Sequence, residues 1–337
     1  DASKSLLGFA IHRSEFDENN KVIEAYWLKG YKPFKDVVPN PRPGVRYSTY
    51  EHPVQSFIWG DFTVKPGRTY EYKIVPVSGQ PKKLEYADPL IVRITTEPLE
   101  HHLHEIHFNR AAAASQAYAE KFDNKKPTDN SLSPVEKEKR YEWLSRGLYE
   151  AVCNFIRQAK GPEFALYAAL YELDYVPALK EFKKVLDAGA DVKIIYESRE
   201  GKTQTMQNEN ALREAGFNIN DKKVTFARKN TDGIPHNKFM ILLRNNKPLM
   251  VWTGSTNLSE GGIFGHANVG HCVKDASVAA EYLKYWQMLK DDPEKQTLVK
   301  KVSSEWPDIT EKDIDKNNIS VVFSPRRGYN MLNLYAG

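Results

Sequence analysis

Apolar and polar residues alternate with a period of two through the first 98 positions. LLGFAIHR, VIEAYWL, QSFIWGDFTV, TYEYKIVPV and PLIVRITT are short alternating runs, and Pro, Gly, Asn and Asp separate them. This pattern predicts an all-β N-terminal domain over residues 1–98. In PGRTYEYKIVPV a Pro-Gly turn precedes a strand carrying Tyr70, Tyr72, Ile74 and Val77. A tyrosine just inside such a strand ties the preceding corner through its hydroxyl in small β-sandwiches.

From Glu136 the period lengthens. YEWLSRGLYEAVCNFIRQAK places Trp143, Leu144, Leu148, Val152 and Ile156 at helical spacing. FALYAALYEL predicts a buried strand, PALKEFKKVLDAGA a helix ending near Gly189, and DVKIIYES a second strand. QNENALREAG predicts a helix closed by Gly216, followed by the strand KVTFAR. Two further strands lie in HNKFMILLRNNKPLMVWTGSTN, then the strand ANVGHCVKD and the helix ASVAAEYLKYWQMLKDD. Helix–strand alternation of this kind predicts a mixed sheet covered by helices over residues 136–319. Residues 99–135 read as a linker containing the helix-prone NRAAAASQAYAEKF. Residues 320–337, which with Ile319 before them read ISVVFSPRRGYNMLNLYAG, read as a strand and a helix start, either docking on the same lobe or opening a second one.

The chain has 337 residues, about two domains' worth, and a mildly basic formal charge of +4, which tolerates a polyanionic partner without requiring one. No apolar run is long enough to cross a membrane. The two cysteines, Cys153 and Cys272, exclude a Cys-built metal cluster and predict no disulfide framework. They fit a cytoplasmic setting, with secretion after removal of a signal left open. HHLHEIH concentrates four of the nine histidines; a partly exposed strand is the expected reading, with metal ligation as the alternative.

His236 and Lys238 stand two apart at the start of a strand, where alternate side chains share a face. The returning strand brings in Ser255 and Asn257. A nucleophilic imidazole, a cation, a hydroxyl and an amide together describe a phosphate pocket. Imidazole is largely neutral near pH 7. Asn268 adds a possible supporting amide, and Asn109, Arg110, Ser115 and Gln116 are polar enough to approach.

The N-terminal pattern resembles the fibronectin type III and immunoglobulin-like sandwich, with Tyr70 at the corner position and no paired cysteines. HNK leading to GSTN resembles the phospholipase D superfamily signature, with YEWLSRGLYEAVCNFI, FALYAALYEL, ALKEFKKVLDAGADVKIIYES and GSTNLSEGGIFGHANVGHCV in support. The resemblance covers residues 136–337. It implies a phosphodiesterase that works through a phosphohistidine intermediate without metal or other cofactor. One His attacks while a second His-x-Lys, across a twofold or pseudo-twofold axis, protonates the leaving oxygen. His236 and Lys238 would be catalytic, and Ser255, Asn257 and Asn268 would hold phosphate.

Three departures from that signature stand out. Leu243 occupies the position of the expected Asp. Asn268 is followed by Val269 and Gly270 where members often carry Asn-x-Glu. The chain holds a single His-x-Lys, so a homodimer mate or a further C-terminal lobe would supply the second. Expected substrates are nucleic acid or phospholipid, the latter through an apolar rim at Ile263 and Phe264. A phosphate-binding module without turnover is the remaining reading.

Overall fold

The computed structural model describes residues 5–42, 44–61, 63–98, 101–110, 115–230, 233–316 and 319–336. The chain divides into two units, with the boundary between His101 and His102.

The first unit is all-β. Its strands are β1 (Gly8–Phe16), β2 (Val22–Trp27), β3 (Lys29–Gly30), β4 (Tyr47–Ser48), β5 (Thr69–Gln80), β6 (Lys83–Tyr86) and β7 (Leu90–Thr95). β1 lies between β2 and β5, and β5 pairs further with β6 and β7, all antiparallel. Among the described residues, the second sheet that a sandwich needs is represented by the two-residue ladder of β3 and β4. Tyr70 is fully buried, and its hydroxyl accepts from the Lys65 N–H at 2.8 Å. The described residues of QSFIWGDFTV form no strand, contrary to the alternation. Asp61 explains the difference. Its carboxylate turns inward to accept from Arg13 at 2.9 Å and Tyr72 at 3.0 Å, and it also takes the Thr63 N–H at 2.9 Å. That local turn interrupts an extended run.

The second unit is built on a seven-stranded sheet. Its elements are β8 (His104–Phe108), α1 (Gln116–Phe122), α2 (Pro134–Ser145), α3 (Leu148–Ile156), β9 (Phe164–Leu170), α4 (Val176–Asp187), β10 (Asp191–Glu197), α5 (Thr203–Glu214) and β11 (Thr225–Arg228). They continue with β12 (Lys238–Arg244), β13 (Lys247–Gly254), a π-helical turn (Gly261–Gly265), β14 (Val269–Val273), α6 (Ala276–Lys290), α7 (Lys295–Glu305), α8 (Glu311–Lys316) and α9 (Asn330–Ala336). The strand order is β11-β10-β9-β12-β13-β14-β8. β9, β10 and β11 run parallel, and the remaining neighbours pair antiparallel.

One face of this sheet packs Leu166, Ile194 and Met240 against Val152, Phe182 and Leu212 of α3, α4 and α5. The other packs Ile195, Ile241 and Val251 against Trp286, Leu298 and Val302 of α6 and α7. The strands therefore read as continuous apolar runs, because both faces are covered. The periodic stretch before β9 is two helices rather than one. Arg146 and Gly147 take φ of 51° and 91°, which ends α2 and redirects the chain into α3. α2 begins on a capping box in which Ser133 and Glu136 bond each other's backbone, with Pro134 in the first turn.

The segment read as a linker supplies β8, the edge strand on β14, and α1; residues 111–114 of its helix-prone run lie outside the described residues. The C-terminal stretch expected to open as a strand has no strand over 319–324. Instead, Phe323 packs between Tyr285 and Trp306, with ring centroids 4.6 and 4.5 Å away. Tyr285 donates to the Ser324 carbonyl at 2.6 Å. Burying an aromatic ring this way contributes roughly 2 kcal/mol, more than a short unpaired strand gains. Among the described residues no helix is long and apolar enough to cross a membrane.

Candidate active site

β9 has parallel β10 on one side and antiparallel β12 on the other, so the chain path changes direction at its C-terminal end. Ligands of open α/β sheets bind at such switch points. Lys238 opens β12 opposite Leu170, the last residue of β9. The Tyr171 N–H then donates to Asn237 O at 2.9 Å. The pairing thus runs past the strand ends and brings Glu172 level with His236.

Glu172 is held by its backbone on both sides. The Leu258 N–H donates to its carbonyl at 3.0 Å. Asn208, fully buried on α5, accepts from the Leu173 N–H at 3.0 Å and donates to Tyr171 O at 2.9 Å. The Glu172 carboxylate accepts from Asn257 Nδ2 at 2.7 Å and from Ser259 Oγ at 3.0 Å.

His236 is solvent-exposed, whereas Lys238 is 8% exposed. The Lys238 ammonium donates back to the His236 carbonyl at 3.2 Å and lies 5.6 Å from the Tyr171 ring centroid. The Tyr171 ring is 5.1 Å from the imidazole. Burial pushes the Lys238 ammonium down to about 8, and the Glu172 carboxylate opposes that. Partial desolvation and the nearby Lys238 charge hold the His236 imidazolium below its usual 6.5, again opposed by Glu172. The imidazole is therefore neutral, with a lone pair available, where the ammonium is still charged.

The GSTN turn depends on its glycine. Gly254 has φ of +142°, and a Cβ there would meet Val269 O at 2.2 Å. The Ser255 N–H donates to Val269 O at 3.0 Å, which fixes the turn against β14. Ser255 Oγ donates to Asn268 Oδ1 at 2.8 Å and accepts from the Val269 N–H at 3.1 Å. Asn268 Nδ2 donates to Gly262 O at 2.7 Å. Gly262 is required as well: a Cβ would meet Asn257 O at 2.6 Å.

The sequence-nominated side chains thus form three linked groups: His236 with Lys238, Asn257 on Glu172, and Ser255 on Asn268. Asn109 is a brace for the third. Its Nδ2 donates to Ile263 O and His266 O at 2.8 Å each, and its Oδ1 accepts from the Asn268 N–H at 2.9 Å. Arg110 is used elsewhere, donating to Trp143 O and stacking on that ring at 4.7 Å. Ser115 caps α1. The Gln116 side chain lies outside the described residues.

Ile263 and Phe264 are 0% and 3% exposed and pack with Tyr118, Phe122 and Leu144, so the apolar rim expected there is core instead. Leu243, at the position of the expected Asp, is also buried. Sequence reasoning passed over Glu172, Ser259 and Tyr171. The available signal was position alone: all three sit in segments leaving the ends of buried strands.

A cavity of about 240 Å³ opens beside His236 between Arg228, Tyr285 and Lys295. A second, about 600 Å³, lies on the far side of Glu172 and is lined by Asp174, Glu260 and Gln204. Among the described residues no group of three or more His, Cys, Asp or Glu is placed to hold a metal ion, and His104 Nδ1 lies 3.0 Å from His271 Nε2.

A strand-end site at the switch point of a three-layer α/β unit defines the class structurally, and comparison with known proteins gives it a narrower description. Residues 152–290 match the family model described as "Cardiolipin synthase, PLD-like domain". Among solved structures, the chain is similar to Nuc from Salmonella typhimurium, a phospholipase D family member. The identity is 20%, with 41% of this chain and 83% of that one covered, at a TM-score of 0.33. It is also similar to NucT from Helicobacter pylori at 19% identity, covering 45% and 91%, with a TM-score of 0.36. Phosphatidylserine synthase from Haemophilus influenzae is similar at 12% identity, covering 42% and 34%, with a TM-score of 0.33. No curated protein sequence matches the chain.

Proposed function

We propose that the second unit is a phosphodiesterase acting through a phosphohistidine intermediate, with nucleic acid as its substrate. The observation that carries this reading is the pairing of a buried Lys238 ammonium with an exposed His236 imidazole at a strand-end switch point. In this reaction an imidazole nitrogen attacks phosphorus, forming a P–N bond while the P–O bond to the leaving alcohol breaks. Water then forms a new P–O bond as the P–N bond breaks. Lys238 offsets charge on the nonbridging oxygens, Asn257 donates to them with its second N–H, and Ser255 and Asn268 donate to them after leaving their present partners. None of these roles calls for a metal.

The leaving alkoxide needs a proton. A second His-x-Lys, from another copy of this chain or from a further lobe, supplies it. α9 and the residue before it offer a surface for such a partner, with Tyr329, Leu332 and Tyr335 exposed at 73%, 62% and 73%. Arg228 and Lys295 in the cavity beside His236 give a neighbouring phosphate a favourable place. The acidic lining beyond Glu172 repels a polyanionic strand from that side, leaving the cavity beside His236 as its favoured path. The N-terminal β unit, fibronectin III-like in its Tyr70 tie, serves as a docking module.

A second reading, a phosphate-binding module without turnover, draws support from Ser255 and Asn257 being engaged by Asn268 and Glu172. One experiment separates these readings. The purified chain is incubated in EDTA with single- and double-stranded DNA, RNA and phosphatidylcholine vesicles. Cleavage of nucleic acid supports the proposal. Cleavage of vesicles alone reassigns the substrate to phospholipid. Phosphate binding without turnover favours the binding module, and activity that returns only with a divalent ion removes the phosphohistidine route.

A further inference from the structure

The two carboxylates that the signature leads one to expect are absent: Leu243 is apolar, and Gly270 stands where a Glu often follows Asn268. A site of this kind still needs a fixed negative charge. An amide that is to meet phosphate must be held in one rotamer, and an imidazole that becomes cationic on attack is stabilised by an anion nearby. Resting on the phosphodiesterase reading, we propose that Glu172, which follows β9, is the positioning residue of this site. It clamps Asn257 and Ser259 and supplies the anion facing His236.

Three independent features support this assignment. First, the Glu172 carboxylate takes both Asn257 Nδ2 and Ser259 Oγ on the same oxygen, Oε2. This clamp orients the Asn257 amide while its second N–H stays available. Second, the backbone around Glu172 is fixed by Asn237, Leu258 and Asn208, contributed by three different segments. A side chain on such a support stays where it is placed. Third, Glu172 acts electrostatically on both His236 and Lys238, favouring the charged form of each.

Other charged and titratable groups around this pair include Tyr171 between them, Asp174 and Glu260 on the Glu172 side, and Arg228, Lys295 and Tyr285 around the His236 cavity. Asp174 is itself held above its usual carboxylate range by burial and by Glu172. Glu172 is thus the carboxylate tied directly to the phosphate-facing amide.

The test uses the whole chain. The His236 imidazole is titrated by NMR in the wild type, Glu172→Gln and Glu172→Asp, and turnover is measured alongside. Glu172→Gln keeps the shape and removes the charge, so the His236 midpoint falls by roughly half a unit. Glu172→Asp keeps the charge and shortens the reach, so the midpoint stays near wild type. Both variants lose about a hundredfold in kcat, Glu172→Asp by releasing Asn257 and Glu172→Gln by removing the anion beside His236. In Glu172→Gln both limbs of the pH–rate profile move to lower pH, which loss of packing alone would not produce. An unchanged His236 midpoint in Glu172→Gln overturns the proposal. The titration needs no turnover, so it decides the role of Glu172 even if the chain proves inactive and the phosphodiesterase reading fails.

Discussion

Ser255 and Asn268 form a mutual brace across the turn that follows β13. The serine hydroxyl donates to Asn268 Oδ1 at 2.8 Å, and the N–H of Val269, the next residue, donates back to Ser255 Oγ at 3.1 Å. Asn268→Ala breaks this brace and the 2.7 Å bond to Gly262 O. The expected result is a loss of stability of about 1–2 kcal/mol, together with a loss of phosphate affinity. Chemical denaturation and phosphate titration by NMR measure the two. Retention of phosphate affinity would remove Ser255 and Asn268 from the site.

His236→Asn is expected to lower turnover by several orders of magnitude and to leave the thermal midpoint nearly unchanged, because the ring is exposed and buries little. On the proposed mechanism, the wild type requires a neutral imidazole and a charged Lys238. The acid limb of the pH–rate profile therefore falls below 6.5, and the alkaline limb lies near 8. Ordinary turnover in His236→Asn, or an alkaline limb near 10, would contradict the assignment.

Burial of the Lys238 ammonium is expected to weaken the fold at neutral pH. Its amine titrates near 8 when folded and at its ordinary 10.5 when unfolded, so between those values the unfolded chain binds more protons. Stability is therefore expected to rise from pH 8 towards 10.5, and the contribution is lost as pH falls through 8. One pKa unit is about 1.4 kcal/mol, which makes the effect roughly 3 kcal/mol. Lys238→Met should raise the thermal midpoint at pH 7, flatten this pH dependence and abolish turnover. A lower midpoint at pH 7 would show that the buried charge is not a cost.

Tyr70→Phe tests the corner of the first unit. The substitution deletes the hydroxyl that accepts from the Lys65 N–H and changes nothing else in a fully buried ring. Urea denaturation is expected to show a loss of about 1–2 kcal/mol. A neutral result would mean that the Lys65–Gly67 turn holds without the tie.

The sequence by itself determined the elements that depend on local periodicity and turn chemistry. The apolar runs of β9, β10, β12 and β13 are legible because both sheet faces are covered, and Gly189 and Gly216 close α4 and α5 where their positive φ angles are needed. His236, Lys238, Ser255 and Asn257 are legible as a set because the β12–β13 hairpin is short and fixes their spacing. Tertiary packing decided what local pattern could not express. Gly147 divides one periodic stretch into two helices. Phe323 gains more by entering the core beside Tyr285 than by pairing as a strand, and Ile263 and Phe264 are drawn inward under Tyr118. Glu172 is the clearest case. It lies 85 residues from Asn257 in sequence, and their 2.7 Å contact exists only because β12 joins β9 to β13 in the sheet. No periodicity encodes such a contact, since its partners are brought together by strand order and not by spacing along the chain.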